Sequence, residues 1–161
     1  MRPKGFKGAD RKAPLEGGSD LKSTFNEDFL VSAENYASVM ENDVLPWLKD
    51  RETVETVRGE GDKPLYCVSY SADDPVGTVV IVHGFTENAF KYSELIFSLL
   101  HNHYAVLAYD QRGHGRSWRA DGISDPSVTH VERFENYVAD LKAVCDHFLP
   151  SMPKPAFVFT T

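Results

Sequence analysis

Residues 77–117 read GTVVIVHGFTENAFKYSELIFSLLHNHYAVLAYDQRGHGRS. Thr78 to Val82 is a β-branched, almost wholly apolar run, the pattern of a strand buried on both faces. His83-Gly84-Phe85-Thr86 breaks it sharply. From Tyr92 to Leu100 the residues Leu95, Ile96, Leu99 and Leu100 recur at helical spacing. Ala105 to Tyr109 is a second apolar strand, closed by Asp110-Gln111-Arg112-Gly113-His114-Gly115. Strand, helix and strand make one βαβ unit, so the strands are expected to be parallel and the crossover right-handed. Both strands run into glycine-marked loops at their C-terminal ends, where open α/β sheets place their ligands.

Upstream, Thr53–Arg58 and Leu65–Tyr70 read as a hairpin around Gly59-Glu60-Gly61-Asp62. Residues 21–50 look helical in pieces, with Pro46 starting a new turn or kinking the old one. Residues 1–20 are polar and glycine-punctuated and read as a disordered tail, which leaves 21–161 as the folded portion. Downstream, Thr129 with Glu132 spells a capping box, and a helix is expected from there to Pro150. Its core face is expected to be Val131, Phe134, Val138, Leu141, Cys145 and Phe148, with Glu132, Glu135, Asp140 and Asp146 on the solvent side. Ala156–Phe159 starts another buried strand, which halts at Thr161 as though the fold continued. A strand left without a neighbour keeps a bare edge, and such edges invite pairing.

A net charge of -7 argues against a nucleic-acid partner. No apolar run approaches the ~20 residues of a transmembrane helix, and the basic N-terminus lacks the apolar core of a secretory signal. The expected setting is the cytoplasm, or a place peripheral to a membrane. Cys67 and Cys145 read as reduced thiols in a strand and a helix. His101 and His103 sit at a helix end and read as solvated caps rather than metal ligands. Gly113-His114-Gly115 lacks the third glycine of a dinucleotide loop, which falls at Trp118. No metal and no cofactor is expected.

Four segments together resemble an α/β-hydrolase of the lysophospholipase and monoacylglycerol lipase group, the serine aminopeptidase-like hydrolases. They are His83-Gly84-Phe85-Thr86-Glu87, Lys91-Tyr92-Ser93-Glu94-Leu95, Asp110 through Ser117, and His130-Val131-Glu132-Arg133-Phe134 through Leu141. Asn42 to Leu48 is similar to the amphipathic start of bacterial members. The resemblance implies the N-terminal part of that fold, about strands one to five: a mostly parallel sheet flanked by helices, stopping before the nucleophile elbow. It implies that the backbone N–H of Phe85 is an oxyanion-hole donor, supported by His83 and by Gly84, whose missing Cβ lets substrate approach. Asp110, Arg112, Gly113 and Gly115 are expected to shape the loop after the fourth strand through hydrogen bonds and an ion pair.

The family's elbow, G-x-S-x-G, does not occur in this sequence. Gly115-Arg116-Ser117-Trp118-Arg119 is the nearest decoy, but it lacks the second glycine and follows the wrong strand, so Ser117 is not expected to be a nucleophile. The nucleophile is expected just after Thr161, with the acid and base later still, in a missing C-terminal half. The implied family chemistry is serine-dependent hydrolysis of a lipid-like carboxylic ester, with this chain inactive alone. Two alternatives stand: a non-catalytic fragment or interaction module, and half of an epoxide-hydrolase-type enzyme with an aspartate nucleophile. Enzymes of the latter type usually carry proline where this chain has Thr86.

Overall fold

The computed structural model describes Val31, residues 33–123, Asp125 and residues 127–161. The expected tail at 1–20, and the first part of the helical stretch from 21, lie outside the described residues. Strand β3 (Gly77–Val82) is the hub. It pairs in parallel with β4 (Tyr104–Tyr109) on one side and with β5 (Ala156–Thr160) on the other, Val80 lying opposite both Leu107 and Val158. The hairpin β1 (Glu52–Arg58) and β2 (Pro64–Tyr70) adds two antiparallel strands beyond β4. The order is β1-β2-β4-β3-β5, a mixed open sheet.

The alternation of β3 and β4 divides two cores. Val79, Ile81, Val106 and Ala108 face α3 (Ser93–His101), through Ile96, Phe97, Leu99 and Leu100. On that face also pack Val44 and Leu48, from a π-helical turn (Met40–Val44) and a short helix (Leu45–Lys49). A short helix at Tyr36–Val39 precedes these; in chain order the three α-helices so far are α1, α2 and α3. Pro46 falls in the first turn of α2, where its missing N–H is tolerated. Val80, Leu107 and Tyr109 face the other way, toward Val144 and Phe148 of α4 (Phe134–Phe148). The chain steps from β3 to β4 on one side, then back past β3 to β5. Right-handed crossovers in opposite directions must put α3 and α4 on opposite faces.

Four expectations need correction. Helix α4 starts at Phe134, with Arg133 extended at its N-cap and no side-chain cap, so the capping box at Thr129 is not used. The backbone of His130 instead lies against Gly113, where a Cβ would come within 2.9 Å of the His130 carbonyl oxygen. The core face of α4 is also rolled: Asn136, Asp140, Val144 and Phe148 are buried, while Phe134 is 73% and Val138 55% exposed. Asp140, expected outward, is fully buried because Arg112 claims its carboxylate. Strand β5 is not buried; all five residues are exposed, since it is the sheet's edge and pairs only with β3. Finally, of the two expected solvated caps after α3 only His103 is exposed; His101 is half-buried and stacks on Trp47 at 4.6 Å.

Candidate functional site

The strand order reverses about β3, so the loop leaving its C-terminal end opens at the switch point where such sheets bind ligands. That loop runs through His83, Gly84, Phe85, Thr86 and Glu87. The Gly84 N–H donates to the Glu87 carboxylate at 3.0 Å, and the Glu87 N–H donates back to the Gly84 carbonyl at 3.2 Å. Lys91 and the Tyr92 hydroxyl also donate to Glu87, and these bonds, Lys91 first, pull its carboxyl down to about 2. Tyr92 reaches Thr161 Oγ1 at 2.8 Å, so the end of β5 lies beside this loop.

Thr86 has φ +65°, a left-handed conformation that costs a residue with a Cβ roughly 1–2 kcal/mol. Its N–H donates to His114 Nε2 at 3.2 Å. Between these tethered neighbours, the Phe85 N–H has no acceptor among the described residues, and the Phe85 ring is 67% exposed. The loop therefore holds two amides and leaves the third free. A fixed, unengaged N–H is what stabilises a developing oxyanion, because it needs no reorganisation when charge appears.

The loop after β4 is the counterpart. Asp110, buried, accepts from the Ala89 N–H at 2.7 Å and the Arg116 N–H at 2.8 Å. Gly113 and Gly115 both take positive φ, +77° and +46°. His83 Nε2 accepts from the Gln111 N–H at 2.9 Å, so His83 ties the two loops together. Arg112 instead reaches, buried, away from this loop. Its guanidinium makes two bonds to Asp140, at 2.6 and 2.7 Å, and a third to the Glu60 carbonyl at 2.9 Å. The ion pair thus joins this loop to α4 and to the β1–β2 turn rather than to Asp110.

Ser117 does not face open space. Its hydroxyl donates to the Asp110 carbonyl and accepts from the Tyr66 N–H at 2.8 Å, and the residue is buried. Ser117→Ala should therefore cost stability, about 1–3 kcal/mol in a urea titration, by stranding the Tyr66 amide. A cost near zero would refute the structural role.

Three residues of the site escaped the sequence reading: Glu87, His114 and Asp140. Glu87 had a local signal, a carboxylate three residues after a glycine at a strand end. His114 and Asp140 act across 28 residues, on Thr86 and Arg112, and no local pattern announces them. Among the described residues no cluster of three or more His, Cys, Asp or Glu is placed to hold a metal ion.

The chain is 42% identical over 85 residues to lysophospholipase L2 of Escherichia coli K12; the match covers 53% of this chain but only 24% of that protein. It is 34% identical over 85 residues to epoxide hydrolase B of Mycobacterium tuberculosis, with 52% and 22% covered. Thus the matched part spans about a quarter of the length of these curated relatives. Among solved structures, an esterase of Pyrococcus furiosus superposes with a TM-score of 0.51 at 26% identity, covering 68% of this chain and 39% of that one. Residues 73–160, from just before β3 to the end of β5, match the serine aminopeptidase S33 family. With the open mixed sheet and its two strand-end loops in place, the chain belongs to that family of α/β-hydrolases.

Proposed function

We propose that this chain supplies the oxyanion loop of a serine-dependent carboxylic ester hydrolase, acting on a lysophospholipid or a monoacylglycerol, and that by itself it hydrolyses nothing. The observation that carries the reading is the unengaged Phe85 N–H between two tethered amides, Gly84 and Thr86. The likeness to a lysophospholipase supports the substrate class. No G-x-S-x-G occurs in the sequence, and the decoy Ser117 is committed to backbone partners. An oxyanion donor without a nucleophile has no covalent chemistry to assist. Among the described residues no helix is long and apolar enough to cross a membrane.

The epoxide-hydrolase alternative gains from the mycobacterial relative. Thr86 weighs against it. Proline fixes φ near −65°, so the +65° of Thr86 is a loop conformation that a proline at this position could not take.

The test has two arms. The chain treated with a fluorophosphonate should remain unlabelled and should release no fatty acid from monoacylglycerol; stoichiometric labelling of Ser117 would overturn the assignment. The source DNA read beyond the codon for Thr161 should encode a serine elbow, and the protein extended through it should cleave the ester. An extended protein that opens epoxides and leaves esters intact would move the reading to the other enzyme class.

A further inference from the structure

The loops after β3 and β4 exchange a histidine each. His83, from the first loop, accepts the Gln111 N–H of the second on Nε2, and His114, from the second, accepts the Thr86 N–H of the first on Nε2. In both rings Nδ1 faces a carbonyl oxygen, Gly84 for His83 at 2.8 Å and Arg112 for His114 at 3.0 Å. A carbonyl only accepts, so Nδ1 must carry the proton and Nε2 the lone pair. Both rings are therefore held neutral in the same tautomer, 5.1 Å apart between centroids and 2% exposed.

We infer that His114 is a positioning residue for the Phe85 amide: its neutral Nε2 holds Thr86 in the left-handed turn, and protonation of His114 releases that latch. This rests on the oxyanion reading only for what the loop does, since the latch belongs to the loop itself. Protonated Nε2 would present an N–H to the N–H of Thr86, and the bond that keeps φ at +65° would become a repulsion. The groups facing His114 are His83, Phe85, Tyr137, Arg119 and Asp110. Burial favours the neutral ring most, with His83 and Arg119 adding to it; the Arg112 carbonyl and Asp110 oppose. Its folded pKa thus lies below the ordinary 6.5, and the unfolded chain binds the proton more readily. The latch is complete above pH 6.5 and is lost as pH falls through the lower folded value.

Histidine C2 hydrogen exchange read by mass spectrometry gives the His114 midpoint in the intact chain, and amide exchange of the peptide spanning 83–90 gives the state of the latch. From about pH 8 to about pH 4, exchange at Thr86, corrected for its intrinsic rate, should accelerate at least about tenfold with the His114 midpoint. In His114→Gln the side-chain carbonyl can accept from Thr86 at every pH, so that step should vanish. Unchanged protection of Thr86 across the range, or the same step in His114→Gln, would overturn the inference. Should that variant fail to fold, ¹⁵N shifts of the histidine-labelled wild type decide: a bare Nε2 and protonated Nδ1 on His114 at neutral pH are required, and an Nε2–H refutes it. None of these readings involves ester turnover, so a failure here is distinct from a failure of the hydrolase proposal.

Discussion

Asp140→Ala is expected to destabilise the chain by about 3–5 kcal/mol, the range for removing one partner of a buried ion pair. The side chains of Arg112 and Asp140 are 3% and 1% exposed. One carboxylate there accepts three hydrogen bonds. It takes both arms of the Arg112 guanidinium, and its Oδ1 also accepts the Glu60 N–H at 2.8 Å. Alanine would leave an unpaired guanidinium and a stranded amide in the interior, at the junction of α4, the β4 loop and the β1–β2 turn. The double variant Arg112→Met/Asp140→Leu removes both charges and should recover most of the loss, ending within about 1 kcal/mol of the native chain or above it. Urea titrations of the three proteins measure this. A single-variant cost below about 1 kcal/mol would mean that the pair is solvated in solution and does not fix α4.

That ion pair also shows where sequence reading stops. The strands of residues 77–109 were legible because burial on both faces demands continuous apolar runs, and β3 and β4 have them. Helix α3 was legible because one face meets a core and the spacing of Leu95 to Leu100 shows which. Helix α4 was half legible: its existence followed from its period, its orientation did not. Ranking residues by hydropathy turns Asp140 outward and Phe134 inward, and the structure does the reverse. One buried guanidinium 28 residues earlier outweighs two apolar side chains. The same limit applies at the candidate site. The break at His83-Gly84 marked the loop, but the support of that loop comes from Gln111 and His114, which only the parallel pairing of β3 with β4 brings alongside. Edge position hid the exposure of β5 in the same way, since Phe157 and Phe159 look like core residues until the strand order is known.

Gly115→Ala should be at least as damaging, for a different reason. Gly115 has φ +46°, so any Cβ carries the left-handed cost of roughly 1–2 kcal/mol. The larger part is steric. An alanine Cβ would lie 2.0 Å from Asp110 Oδ2 and 2.3 Å from its Cγ, far inside contact distance. Asp110 cannot swing aside cheaply, because its two oxygens hold the Ala89 and Arg116 amides. Hydrogen bonds to a buried charged group are worth about 1.5–3 kcal/mol each, so displacing it brings the total to roughly 4 kcal/mol or more. Gly61→Ala is the matched control: φ is +67° there, and nothing lies within 4 Å of the added carbon. It should show the backbone cost alone, about 1–2 kcal/mol. The difference between the two variants in urea isolates the Asp110 bracket. Because Asp110 holds Ala89, two residues after Glu87, Gly115→Ala should also speed amide exchange across 83–90, and Gly61→Ala should not. Equal costs for the two glycines would show that Asp110 relaxes freely and that the β4 loop does not set the geometry of the Phe85 turn.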